Sequence, residues 1–251
     1  MIMILNQWKN KLPSNTFWCV LFTLICINIF AVISGNNLLQ QITKTLFIPI
    51  IFTYLLLIGK QIKTWILAFL LFSFTGDVTS NITASFMLLN ISSFFYCLSY
   101  LSLIVAVARG IKKLKLDKVI RAYLISVFLI NAILLYVLFD LIKYYIPDSI
   151  EVTLFAVKSI ALITLAFISF VDYLNSETKG SILFLIMVLC FAFSDVLHYI
   201  SVYYLYNWSF VLLDRVLHIV GLLFLFNYIN ERNKTTSDIE IKAKAFLNSL
   251  H

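Results

Sequence analysis

Charged residues are scarce in this chain of 251 residues: Asp, Glu, Lys and Arg make up 12%, whereas 62% of the residues are hydrophobic. Ordinary soluble domains contain about 25% charged residues, so the composition excludes that class and predicts an integral membrane protein. Cysteine and histidine are also rare. The four cysteines lie in apolar runs without disulfide or metal-site spacing, and the three histidines form no convincing zinc set. No metal or cofactor is expected.

The formal net charge of +7 comes from basic residues that gather in alternate loops, together with the two ends of the chain. Lys9 and Lys11 precede the first apolar run, Lys60 and Lys63 follow the second, and the loop after the fourth begins at Arg109. An excess of Lys and Arg on alternate loops is the pattern of cytoplasmic loops in membrane proteins. The pattern therefore predicts a multi-pass protein of the cell membrane with both termini cytoplasmic, and it argues against a nucleic-acid partner.

Eight apolar segments are each close to the 17–25 residues that a helix needs to cross a bilayer. They predict an all-α polytopic membrane protein with a single transmembrane domain over 1–229 and a polar cytoplasmic tail over 230–251. Gly76 and Gly221 lie inside segments, where a missing side chain lets another helix approach closely. The predicted segments are Thr16–Ser34, Thr43–Ile58, Thr64–Ser80, Ala84–Ala108, Lys118–Ile142, Ile150–Val171, Ser181–Leu205 and Phe210–Ile229.

Two of the apolar segments contain an aspartate at the same depth, and each follows a segment that contains a lysine. The first set is Lys44 with Asp77, and the second is Lys158 with Asp195. A charge at the centre of a membrane helix costs roughly 2.5–3.5 kcal/mol on insertion scales, and such residues are functional by default. At 1.5 Å per residue, Asp77 lies roughly 20 Å from the cytoplasmic face. Asp195 lies at about the same height.

The predicted topology brings further ionisable residues to the outer half of the membrane. His198 follows Asp195 by three residues on the same helix face, and Arg215 and His218 lie in the first turns of the last helix. We therefore predict one polar cavity inside the bundle, open towards the non-cytoplasmic side or the outer leaflet. The two sets also suggest a parallel four-plus-four repeat, which aligns LFSFTGDV with LCFAFSDV.

Plainer interpretations of these charges stay open. Lys44 falls at the very start of its predicted segment, so its ammonium group can extend to the interface. Asp77 and Asp195 can be hydrogen-bonded or ion-paired struts between helices. Asp214 and Arg215 can form a local cap near the interface.

At these residues the chain resembles the YhhN family of multi-pass membrane proteins, which includes lysoplasmalogenases. The family pattern has Thr-Lys near the start of helix two, Ser and then Gly-Asp in helix three, and Phe and then Ser-Asp in a later helix. The chain departs from the family where a His is usual in helix four, since Cys97 stands there ahead of Tyr100, and where a Gln is usual in the last helix. That position is Leu222. If the missing His and Gln bind or protonate the substrate in the family, these two departures imply a different substrate or a weaker activity for this chain. The matching residues are Thr43, Lys44, Ser73, Gly76, Asp77, Phe191, Ser194 and Asp195.

The resemblance implies hydrolysis of the vinyl ether bond of lysoplasmalogen to a fatty aldehyde and a glycerophospho-head group. Burial raises the pKa of an aspartate, whereas a neighbouring lysine lowers it. Two aspartates in unlike surroundings can therefore act as a general acid and a general base, respectively. Asp77 and Asp195 are the predicted catalytic pair. The predicted substrate-binding residues are Lys44, Lys158, Arg215, His218, His198 and Tyr100.

Two other functions remain open at this point. The same charges could form the coupling site of a small-molecule transporter or binder, or they could only join helices in a non-catalytic membrane protein. The partners expected for the hydrolase are a lysophospholipid substrate and the lipids of the membrane. The sequence leaves the oligomeric state open.

Overall fold

All the regular structure that a computed structural model describes, over residues 14–81, 86–110 and 118–248, is helical. The predicted charges at Lys9 and Lys11, and most of the basic loop after Arg109, lie outside these ranges. The helices are α1 Ser14–Ile33, α2 Asn37–Leu57, α3 Thr64–Asn81, α4 Phe86–Ala108, α5 Lys118–Ile142, α6 Ser149–Ser176, α7 Lys179–Tyr199 and α8 Trp208–Asn248.

Seven of these helices are long and apolar enough to cross a membrane, and α3 contains a shorter apolar stretch, Thr64–Ser80. Large apolar side chains cover the outside of the bundle, for example Leu129, Ile133 and Tyr136 on α5. An apolar surface of this extent suits contact with lipid rather than water. The described part of the chain therefore forms a multi-pass helical membrane protein, as predicted.

Helix α2 begins six residues before its predicted start, and this changes the interpretation of Lys44. Asn36 caps the helix, because its side-chain oxygen accepts a hydrogen bond from the backbone N–H of Leu39. Polar residues such as Gln40 and Gln41 then form the first turns, which hydropathy alone assigns to a loop. Lys44 consequently lies two turns inside the helix, and not at its start.

The C-terminal ends of α7 and α8 also differ from the prediction. Helix α7 ends in a short π-helical turn, Ile200–Tyr204, and α8 continues as one helix to Asn248 instead of ending near Ile229. Neither proline nor glycine occurs between Tyr228 and Asn248, so no residue in the polar segment breaks the helix.

The main hydrophobic core joins side chains from every described helix except α5. Helix α5 instead contacts α6 through two small clusters near its ends. One contains Leu124 and Val171, and the other contains Ile142, Phe155 and Tyr199.

Helix α6 begins after a capping residue, Asp148. Its carboxylate accepts hydrogen bonds from the backbone N–H of Ile150 and from the side chain of Asn90 on α4. The hydrogen bonds from Asn90 and from the Ile150 N–H hold the pKa of Asp148 below its usual value.

The predicted close approaches at Gly76 and Gly221 are confirmed. A Cβ atom added at Gly76 would lie 3.1 Å from the ring of Tyr96 on α4, and one added at Gly221 would lie 2.7 Å from the ring of Phe191 on α7. Glycine at these two positions therefore sets how closely α3 packs on α4 and how closely α7 packs on α8.

We expect Gly221→Ala to lower the free energy of unfolding by about 1–3 kcal/mol, because the Phe191 ring is fully buried and overpacking forces it to shift. Thermal unfolding of the purified protein in detergent measures this. The matched control is Gly180→Ala, whose added Cβ would meet its nearest atoms at 3.9 Å. An unfolding temperature for Gly221→Ala equal to that of the control would contradict the prediction.

Candidate functional site

A polar cavity of about 160 Å³ lies inside the bundle, between α2, α3, α4, α6, α7 and α8. All the predicted site residues except Asp77 line it. Serine and tyrosine side chains, Gln41, Val202 and two further acids, Glu151 and Asp214, complete the wall. The predicted residues on the cavity wall are Lys44, Tyr100, Lys158, Asp195, His198, Arg215 and His218.

The first charged set forms an ion pair that also includes Tyr96. Lys44 Nζ lies 3.0 Å from Asp77 Oδ1 and 2.8 Å from the hydroxyl oxygen of Tyr96, and that hydroxyl donates to Asp77 Oδ1 at 2.5 Å. The interpretation of Lys44 as an interfacial lysine is therefore wrong. Asp77 is fully buried, and Tyr96, not Asp77, lines the cavity. The Asp77 carboxylate thus lies behind Tyr96.

The second set is an ion pair at the cavity wall. Lys158 Nζ lies 2.8 Å from Asp195 Oδ1, and the Asp195 side chain keeps 13% of its surface exposed, against none for Asp77. The Lys158 ammonium group also lies 4.4 Å from the ring centre of Tyr199 and 5.7 Å from that of Tyr96. Tyr96 therefore lies between the two ion pairs and brings both sets to one site.

The placement of these pairs agrees with the predicted internal repeat. Each pair joins two successive helices, α2 to α3 in one half and α6 to α7 in the other. The residue before each aspartate meets the next helix, since Gly76 faces Tyr96 and Ser194 donates to Asp214 Oδ1 at 2.6 Å. The parallel repeat itself stays a prediction.

Glu151 is a cavity residue that the sequence analysis missed. Its Oε1 atom accepts hydrogen bonds from Ser93 at 2.8 Å and from the Tyr199 hydroxyl at 3.1 Å, while its Oε2 atom is buried without a partner. Glu151 and Lys158 are seven residues apart, which puts them on the same face of α6. That spacing could have revealed Glu151 from the sequence.

Asp214 belongs to the interior and does not form the local cap that its position suggested. It is buried, and besides the Ser194 hydrogen bond its Oδ2 atom lies 3.4 Å from His198 Nδ1. The side chain therefore fixes α8 against α7 and orients His198 at the cavity.

Arg215 and His218 complete this side of the cavity with nitrogen atoms that have no partner. Arg215 Nε and His218 Nε2 are buried without a hydrogen-bond partner, and no ion pair of Arg215 occurs in the part of the chain that the structure describes. Lys44 and Lys158 are each paired with an aspartate. Of the cations at the cavity, Arg215 is thus the one whose charge is available to an anionic group.

Within residues 14–81, 86–110 and 118–248, no group of three or more His, Cys, Asp or Glu side chains is placed to hold a metal ion. The chemistry of the site rests on carboxyl, hydroxyl, imidazole and cationic side chains in an apolar bundle. Such a site can hold an anionic or zwitterionic group, exchange protons and orient water.

The fold and the site together define a multi-pass helical membrane protein with an ion-paired polar cavity. Comparisons with protein-family models, curated proteins and solved structures found no match. Membership of the YhhN family, and the roles that it implies for the site residues, stay predictions.

Proposed function

We propose that the protein is an integral membrane hydrolase that cleaves the vinyl ether bond of lysoplasmalogen to a fatty aldehyde and a glycerophospho-head group. The observation that supports this best is the polar cavity, which combines a partly exposed carboxyl group, Asp195, with an unpaired cation, Arg215. A hydrolase of a lipid with a phosphate in its head group needs both kinds of group within a bundle that lipid can reach. The resemblance to lysoplasmalogenases supplies the bond that is cleaved.

The reaction requires one carboxyl group that first gives and then takes a proton. The protonated acid transfers its proton to the β carbon of the vinyl ether, and the α carbon becomes an oxocarbenium ion. The resulting carboxylate stabilises that cation and takes a proton from the water that attacks the α carbon. The hemiacetal formed then breaks its C–O bond to the glycerol, releasing the aldehyde and an alcohol. Water is the only co-reactant, and the acid is restored.

Asp195 is the aspartate that can meet the reacting atoms, because its carboxyl group lies on the cavity and that of Asp77 does not. Lys158 holds Asp195 in place through the hydrogen bond to Oδ1. In the proposed step its ammonium group supplies the proton that turns the Asp195 carboxylate into the reacting acid, and it takes a proton back after the carboxylate has deprotonated the attacking water. In this mechanism Asp77 and Lys44 act through Tyr96, whose hydroxyl they fix at the cavity. The two aspartates therefore have unequal roles, and only Asp195 is the proposed proton donor and acceptor.

The proposal is tested by aldehyde release from lysoplasmalogen by the purified protein in detergent or vesicles. An ester lysolipid with the same head group serves as the comparison substrate, and it is expected to give no aldehyde. Absence of aldehyde from vinyl ether substrates with several head groups would refute the proposal. Ligand uptake into vesicles under those conditions would then favour a transporter that uses the same charges.

We expect Arg215→Gln to raise the KM for lysoplasmalogen by about 10–100-fold with a small effect on kcat, because a hydrogen bond to a charged group contributes about 1.5–3 kcal/mol. Steady-state kinetics measure both constants. Arg121→Gln is the control, since Arg121 is exposed on α5 and does not line the cavity. An unchanged KM in Arg215→Gln would remove Arg215 from the head-group site.

A further inference from the structure

An apolar groove of about 570 Å³ runs between α5, α6 and α7. It exists because α5 contacts α6 mainly near its two ends and takes no part in the main core. Its volume is within the range of about 300–1,000 Å³ that is typical of small-molecule sites. Its wall is almost wholly hydrocarbon and aromatic, with residues such as Val127 and Leu134 from α5, Leu162 from α6 and Ala192 from α7.

The groove and the polar cavity meet at Asp195. This residue lines both spaces, whereas its neighbour Ser194 faces only the cavity, and Phe193 and Val196 face only the groove. Helix α7 is therefore the wall between a polar and an apolar space, and the proposed reactive carboxyl group is placed at the boundary.

A lipid has the same division as these two spaces. Its head group is polar, its tail is hydrocarbon, and the vinyl ether bond of lysoplasmalogen lies where the two meet. With the head group beside Arg215 and the tail along α5, that bond would lie next to Asp195.

We propose that the groove between α5, α6 and α7 binds the single hydrocarbon tail of the substrate, and so selects lipids with one long chain. This rests on the proposed function, because it takes Asp195 as the reactive group. The apolar pocket between α1 and α2 shares no lining residue with the polar cavity, so it offers a second tail no direct path to the same site. The proposed occupant is therefore a single-chain lipid.

The first test is binding, and it does not depend on hydrolysis. The probe is a saturated alkyl ether lysophospholipid with a photoreactive diazirine in its tail, which the reaction cannot cleave. We expect its cross-links to map to the groove faces of α5 and α7, and we expect lysoplasmalogen to compete. Cross-links spread over the outer surface of the bundle and insensitive to competitor would identify bilayer lipid as the occupant and overturn the proposal.

The second test narrows the groove. Ala192→Phe is expected to raise the KM for a long-tailed vinyl ether lysolipid by about tenfold or more, since two buried methylene groups account for that factor in affinity. The KM for a short-tailed substrate should stay close to that of the wild type. If Ala192→Phe fails to fold, Val127→Phe tests the same space from a half-buried position on α5. Ala122→Phe is the control, because Ala122 is exposed on α5 and does not line the groove.

The outcomes separate this proposal from the proposed function. Aldehyde release with the same tail-length dependence in wild type, Ala192→Phe and Val127→Phe would overturn the groove proposal and leave the hydrolase intact. Cross-linking confined to the groove without any aldehyde release would keep the groove as a lipid-tail site and refute the hydrolase.

Discussion

Lys158→Met is expected to lower the free energy of unfolding by about 3 kcal/mol, because it leaves the Asp195 carboxylate, only 13% of whose side chain is exposed, without its cation. Lys158 is 3% exposed and its Nζ atom lies 2.8 Å from Asp195 Oδ1. The methionine side chain fills a similar volume, so the cost comes from the lost charge and not from a cavity. Thermal or denaturant unfolding in a defined detergent measures the effect.

A double variant and a surface pair make the measurement specific. Lys158→Met combined with Asp195→Leu removes both charges, and we expect it to recover most of the lost stability, because replacing a whole buried pair is often neutral. Lys143 forms a pair with Asp140 near the end of α5, but both side chains are solvent-accessible. Lys143→Met should therefore leave the unfolding temperature unchanged. An equally small effect of Lys158→Met would show that the second ion pair does not stabilise the fold.

The sequence predicted the helices and the polar cavity well because both depend on local signals. A charge inside an apolar run stands out from its neighbours, and counting residues along a helix predicts its depth. Lys158 and Asp195 could be placed at one site by this reasoning alone. The start of α2 could not be predicted in this way. Asn37, Gln40 and Gln41 are polar residues, which hydropathy assigns to a loop although a helix tolerates them near its end.

The unequal positions of the two aspartates depend on contacts between distant residues. Asp77 and Tyr96 are nineteen residues apart and meet because α3 and α4 pack closely at Gly76. Membrane helices are apolar on nearly every side, so the hydrophobic pattern does not show which face is internal. The sequence could therefore predict a depth for Asp77, which stays a prediction, but not that a tyrosine covers it. The same limit applies to Glu151, whose partners Ser93 and Tyr199 come from two other helices.

Asp195→Asn is expected to lower kcat for aldehyde release by about 10²–10⁴-fold, the usual contribution of a general acid–base group. Asparagine keeps the shape of the side chain and an oxygen for Lys158, but it cannot give and take a proton. Rates are measured on protein shown to be folded by its thermal unfolding. Asp172→Asn is the matched control, because Asp172 is a partly buried aspartate of α6 that does not line the cavity. Activity retained in Asp195→Asn would remove this residue from the mechanism.

Asp77 provides the contrast within this experiment, because it reaches the cavity only through Tyr96. We expect Asp77→Asn and Tyr96→Phe each to lower kcat by about 10–100-fold with KM nearly unchanged, since each loses a hydrogen bond to a charged group. If Asp77 acts by positioning the Tyr96 hydroxyl, the kcat of the double variant should be no lower than that of the less active single variant. Losses that multiply would instead give Asp77 a role of its own, and a change in unfolding temperature without a change in kcat would make it a structural strut.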